Sequence, residues 1–272
     1  MSELNNENYH STEMRQKYMG SSQFKDFLVC EKQALARVNG EVEEKQSDAL
    51  LFGSYVDAYF SNELSEFIPN HPEMFNAKTG ELKAPFKNVE TVIDTIKNDK
   101  LMSKYLGGEH QVIMTGEIAG VPFKIKIDSY HPDKLIVDQK VMKDLEPVWV
   151  ERVDQNGNVR NVKTDFVDAY GYLYQAAIYQ TIVEQNTGKK LPFVLAVTTK
   201  EEVPISKLIK IDQEYIDETL QEIIEKAPRF AAIKRGEIEP VGCGKCSVCR
   251  KDMKVEGVES YKKLFHTEVI EY

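Results

Sequence analysis

The feature that most constrains this chain is residues 111–141, QVIMTGEIAGVPFKIKIDSYHPDKLIVDQKV. β-Branched residues crowd the run, and turn formers at Ala119-Gly120 and His131-Pro132-Asp133 divide it. This predicts three strands, over 110–118, 121–130 and 134–141, in an antiparallel meander. A period of two puts Phe123, Ile125 and Ile127 on one face and Lys124, Lys126 and Asp128 on the other. The third strand is unusual: Leu135-Ile136-Val137 is apolar, and Asp138-Gln139-Lys140 follows at once. Charged groups are rarely buried unless they are paired or bind something.

The short turn brings Asp128 beside Asp138 and Lys140, which share a face. Two carboxylates supply the hard oxygens that Mg²⁺ or Mn²⁺ requires. Such an ion neutralises a phosphate and lowers the pKa of a bound water. A lysine beside it can hold that water or stabilise developing negative charge. An isolated Asp–Lys pair at a strand end is also an ordinary surface salt bridge, so the surrounding sequence has to decide.

The flanks read as helices. Residues 21–38 form a helix capped by Ser21 or Ser22, with Phe24, Phe27, Leu28, Leu35 and Val38 on one stripe; Cys30 lies at its edge and Glu31 falls inside it. A second helix covers 47–64, residues 69–90 read as a surface loop or insertion, and another helix covers 88–105. Residues 153–161 form a hairpin tip, 165–188 a helix ending at Gly188, and 192–199 and 205–211 strands. A long helix over 212–236 starts at Asp212, with Pro228 expected to kink it. Residues 1–20 read as a loose N-terminal extension. The order of elements predicts an α/β fold, one central mixed sheet flanked by helices, in a single domain over 1–272.

The 272 residues carry a formal charge of −9, which argues against a protein that coats nucleic acid through general basicity. A local basic groove stays compatible with that count. The first residues lack the apolar core of a secretory signal and no run long enough to span a bilayer occurs, so a cytoplasmic location without membrane contact is expected. Three of the four cysteines, Cys243, Cys246 and Cys249, lie within seven residues, and the fourth is Cys30. In a reducing compartment this reads as metal ligation before disulfides, and both Zn²⁺ and iron–sulfur clusters take four sulfurs.

Four segments in order resemble the PD-(D/E)XK nuclease superfamily, and within it the RecB-like and RecE-like branch. In IDSYHPDKLIVDQK, Asp128 matches the first acidic residue and Asp138-Gln139-Lys140 the (D/E)-x-K triplet. YGYLYQAAIYQ contains Gln175-x-x-x-Tyr179, like the branch's Q-x-x-x-Y motif. LLFGSYVDAYF resembles its G-x-x-x-H helix, with Asp57 where a metal-binding His is usual, and SSQFKDFLVCEKQAL resembles its S-x-S-x-x-x-F-x-x-C segment.

The resemblance implies a restriction-endonuclease-like core. It implies a catalytic set of Asp128, Asp138 and Lys140, and Mg²⁺ or Mn²⁺ held by Asp57, Asp128, Asp138 and the Gln139 backbone carbonyl. Gln175 and Tyr179 would lie on the DNA backbone or beside the catalytic lysine, and Lys124 and Lys126 could contact phosphates. Glu109 and Glu117 lie upstream of Asp128, within possible reach of the metals, although Glu117 precedes a turn and reads as surface. For the four cysteines the resemblance favours an iron–sulfur cluster over Zn²⁺, stapling the nuclease domain. It is closest to phage and prophage RecE-type exonucleases. That implies digestion of double-stranded DNA ends from 5′ to 3′, a single-strand annealing recombinase as partner and a ring-shaped homo-oligomer. The alternatives are a CRISPR-adaptation-type nuclease acting on overhangs, and a catalytically silent DNA- or protein-binding module.

Overall fold

The computed structural model describes residues 3–42, 46–153, 159–251, 253–254 and 257–258. In chain order its elements are α1 (Thr12–Lys17), α2 (Ser21–Val29), α3 (Glu31–Val38), α4 (Asp48–Phe60), α5 (Leu64–Asn70), α6 (Val89–Asn98) and α7 (Lys100–Leu106). Strands β1 (Val112–Ile118), β2 (Val121–Ile127), β3 (Ser129–His131), β4 (Leu135–Met142), β5 (Val148–Val153) and β6 (Val159–Thr164) come next. Then follow α8 (Phe166–Ala169), α9 (Tyr172–Thr187), β7 (Phe193–Thr199), β8 (Ser206–Lys210), α10 (Gln213–Lys234) and α11 (Ser247–Lys251).

The sheet order is β3-β4-β7-β8, with β4 and β7 parallel and the outer pairs antiparallel. Every residue of β7 is buried, as expected for a strand covered on both faces. The parallel step from β4 to β7 needs a crossover, which the β5–β6 hairpin, α8 and α9 supply. Two apolar layers cover the sheet. Ile136, Leu195 and Val197 pack with residues of α2, α9 and α10, whereas Val137 and Ala196 pack with α4, α6 and α7. The α/β architecture and mixed central sheet are those expected from the sequence.

The β1–β2 hairpin turns through Ala119 (φ 51°) and Gly120 (φ 73°), two positive φ values that match the strand twist. The predicted strand 121–130 is broken at Asp128: β2 pairs with β1, and β3 pairs with β4. Helices expected to be continuous are also broken. Residues 21–38 split at Cys30, which is extended (φ −162°, ψ 109°). With that break Glu31 leaves the apolar stripe and takes a bidentate ion pair from Arg229 at 2.7 and 2.9 Å. The first of these helices starts from Gly20, not from Ser21 or Ser22. The 88–105 helix splits at Asp99, whose carboxylate accepts from the N–H groups of Leu101 and Met102 and starts α7. The 165–188 helix splits at Gly171, which is left-handed (φ 63°, ψ 39°). By contrast, α10 stays helical through Pro228.

Residues 3–20 are not a loose extension. Met14 and Met19 are fully buried, and Met19 exchanges backbone hydrogen bonds with β2. The 69–90 loop is also ordered, with Met74 and Phe86 buried against α4 and α6. The hairpin tip falls between β5 and β6, and its residues 154–158 lie outside the described residues.

Candidate active site

The break after β2 sets up the site. Leaving the ladder at Asp128 frees its carboxylate to turn toward β4, where Oδ2 accepts the backbone N–H of Gln139 at 2.8 Å. Asp138 comes from the middle of β4 and is 1% exposed. Its Oδ1 accepts from Gln175 Nε2 of α9 at 2.5 Å, and its Oδ2 pairs with the ammonium of Lys140, two residues on and on the same face. Lys140 Nζ also lies 3.4 Å from the Gln139 carbonyl, the oxygen expected to help hold a metal. Asp57, from α4, receives both of its carboxylate contacts from Gln111 Nε2, at 3.1 and 3.3 Å. Gly53, one turn earlier, has open space where a Cβ would stand, so that helix face stays clear.

Burial, and then the charges of Asp138 and Asp57, push Asp128 well above the usual carboxylate range. Burial raises Asp57 too, against the pull of Lys126 and Lys140, with Asp138 adding to the rise. For Lys140 burial works downward, but Asp138, Asp128 and Tyr172 outweigh it and hold the ammonium protonated beyond its ordinary range. Three acids crowded into a low-dielectric pocket thus resist full ionisation, and a further cation would favour their charged forms.

The donors are all hard oxygens, so they fit Mg²⁺ or Mn²⁺. The carboxylates do not close into a compact cage. Among the described residues, only the four cysteines bring three or more acidic, His or Cys ligand atoms all within 4.8 Å of one another. Lys140 serves as counter-ion on Asp138, and a metal there has to share or displace it.

Gln175 and Tyr179 sit beside Asp138 and β2, not on an exposed surface. Both are buried, and the Tyr179 hydroxyl donates to the Lys126 carbonyl at 2.9 Å. Lys126 faces the pocket closely enough for its charge to act on Asp57. Lys124 corrects an expectation. It is 4% exposed, its ammonium donates to the Tyr9 carbonyl and lies 4.4 Å from the centre of the Tyr9 ring, so the N-terminal segment occupies it in place of phosphate. Glu109 and Glu117 are exposed, and neither is among the charges that act on Asp128.

Two residues at the site gave no signal in the sequence. Lys25 of α2 donates to the Tyr170 carbonyl at 3.1 Å, and burial and then the Lys140 charge bring its pKa down to about 8. Its place depends on the Gly171 break, which leaves that carbonyl outside a helix. Tyr9 lies near enough for the charge of Asp128 to raise its hydroxyl, after burial. Tyr9 lies outside every motif and Lys25 at an unspecified position of one, so only long-range packing brings them in.

The four cysteines meet as expected. Cys30 Sγ lies 3.8 Å from that of Cys246 and 3.7 Å from that of Cys249, and no disulfide joins any of the four.

A broken meander edge carrying Asp128, followed by Asp138-Gln139-Lys140 on a parallel-paired strand, defines a PD-(D/E)XK nuclease-superfamily core. The chain belongs to the family described as "PDDEXK-like domain of unknown function (DUF3799)", whose model matches residues 20–252. It is also similar to an Eubacterium rectale protein of known crystal structure described as "Putative exonuclease", at 40% identity and a TM-score of 0.87. The match covers 98% of this chain and 100% of the other. No protein of curated function matches the sequence. No helix among the described residues is long and apolar enough to cross a membrane.

Proposed function

We propose that this protein is a divalent-metal-dependent DNA exonuclease of the RecE-like type, hydrolysing phosphodiesters at double-stranded ends from 5′ to 3′. The observation that carries the reading is the convergence of half-buried Asp57 and Asp128 and buried Asp138 with the half-buried ammonium of Lys140. The exonuclease description of the 40%-identical E. rectale protein supports the direction of that reading. The motif around Gln175 and Tyr179 supports the RecE-like branch, and with it a single-strand annealing recombinase as partner and a ring-shaped oligomer.

Asp128, Asp138 and the Gln139 carbonyl, joined by Asp57, would hold Mg²⁺ or Mn²⁺, which supplies charge neutralisation at the phosphate and acidifies a water. The chain's own groups do the rest. Lys140 keeps its proton across the working pH range and sits where it can orient the attacking water and stabilise charge growing on the phosphoryl oxygens. Gln175 fixes the rotamer of Asp138, the Gln139 N–H fixes Asp128, and Gln111 fixes Asp57. Lys25 and Lys126 supply positive charge at the rim for a flanking phosphate.

The test is digestion of duplex DNA labelled at either end, with Mg²⁺ and with Mn²⁺. Release of the 5′ label first, lost in Asp128→Ala and slowed by about 100-fold or more in Lys140→Ala, is the expected result. Tight binding with no cleavage in either metal would identify a silent binding module and end the enzymatic reading. Release of the 3′ label first would end the RecE-like assignment and leave the nuclease one.

A further inference from the structure

We propose that Cys30, Cys243, Cys246 and Cys249 hold one tetrahedral Zn²⁺ ion, not an iron–sulfur cluster. The sulfurs are too close together for a cluster. All four lie within 4.8 Å of one another, and the distances from Cys30 to Cys246 and Cys249 are 3.8 and 3.7 Å. Thiolates bound to one zinc at about 2.3 Å stand about 3.8 Å apart along each tetrahedral edge. A [4Fe–4S] cubane carries one thiolate on each corner iron and holds them roughly 6 Å apart. A [2Fe–2S] core separates its two pairs of thiolates by a similar span of roughly 6 Å. A disulfide is excluded in turn, since bonded sulfurs lie at about 2.05 Å.

The backbone around the sulfurs suits a single ion. Each C-x-x-C step folds back so that the later N–H points at the earlier sulfur: Cys246 N donates to Cys243 Sγ and Cys249 N to Cys246 Sγ, both at 3.4 Å. Cys243 N donates to Cys30 Sγ, also at 3.4 Å. These N–H groups offset part of the excess negative charge that four thiolates bring to one divalent ion. Gly244 supplies the positive φ (73°) of the first step. At Gly242 a Cβ would come within 2.8 Å of Cys249 Sγ, so the main chain lies directly against the sulfurs.

The site has no open coordination position, which marks it as structural. It ties the junction of α2 and α3 to the chain beyond α10. The Glu31 carboxylate reinforces the tie by accepting the Val241 N–H at 2.7 Å. This inference is independent of the nuclease reading.

The test is elemental and sulfide analysis of the full chain, purified anaerobically from cells supplied with both zinc and iron. One zinc per chain with no acid-labile sulfide is expected. A cobalt-substituted form should show intense tetrahedral d–d bands and a thiolate-to-cobalt charge-transfer band. Cys243→Ser removes an exposed sulfur, so it should lose the zinc and lower the melting temperature while keeping the far-ultraviolet circular dichroism of the parent. Iron with stoichiometric sulfide, iron without sulfide, or a metal-free chain whose melting temperature is indifferent to added zinc would each overturn the assignment.

Discussion

Asp128 shows how one residue couples the fold to the chemistry. Its carboxyl is held well above its ordinary value of 3.8, first by burial and then by two neighbouring acids. A raised acid binds more protons folded than unfolded. Its contribution to stability is therefore fully present below the ordinary value and is lost as pH rises through the folded pKa. The metal-free chain should lose melting temperature from this group as pH rises above the ordinary value and through the raised folded one, and Asp128→Asn should flatten the loss. Added Mg²⁺ should stabilise the parent more at the alkaline end and leave Asp128→Asn little changed. Thermal scans across pH with and without Mg²⁺ measure both effects. On the proposed nuclease reading Lys140 acts on the reacting atoms, so Lys140→Ala should lower kcat by about 10²–10³-fold, the usual cost of removing a charge-stabilising group. Gln175 acts through Asp138. Gln175→Ala should lower metal affinity or kcat by about 10–100-fold, as loss of a supporting hydrogen bond does, and Gln175→Glu should not rescue it.

At the scale of elements, the breaks position the site. Asp128 follows β2, Gly171 starts α9 and Cys30 separates α2 from α3. Periodicity carried the helix predictions straight across Cys30, because neither Gly nor Pro interrupts 21–38 and the apolar stripe continues on both sides. Glu31 was the visible discord in that stripe, and its ion pair with Arg229 resolves it. At Gly171 the left-handed backbone costs a side chain about 1–2 kcal/mol, and a Cβ there would stand 2.9 Å from Cδ of Lys25. Gly171→Ala should therefore destabilise the protein by about that amount in a denaturant titration. It should also raise KM for DNA more than it lowers kcat, because Lys25 is moved from the rim while Lys140 stays in place.

Across the whole molecule, a formal charge of −9 opposes the approach of DNA. The carboxylates of the site add to that repulsion as they ionise, until a cation neutralises them. Binding to duplex ends should therefore be weak in EDTA and strengthen by about tenfold or more with Ca²⁺, which takes the same oxygen donors. Fluorescence anisotropy on a labelled duplex reads this directly. An affinity unchanged by divalent cations would show that the acidic site and the DNA surface are separate.

The sequence by itself determined the strand-rich run over 111–141, the shared face of Asp138 and Lys140 and the i, i+4 relation of Gln175 to Tyr179, and its resemblance to a known branch pointed to Cys30 meeting the C-terminal cysteines. Those follow from local periods and from a motif order that covers most of the chain. Only the tertiary structure decided that Lys124 is sealed under Tyr9, that Lys25 reaches the pocket, and that the N-terminal residues close over β2. Each of those depends on contacts between segments far apart in sequence, and such contacts are set by how the two apolar layers pack on the sheet. Local alternation cannot tell a lysine that faces solvent from one buried under a distant tyrosine.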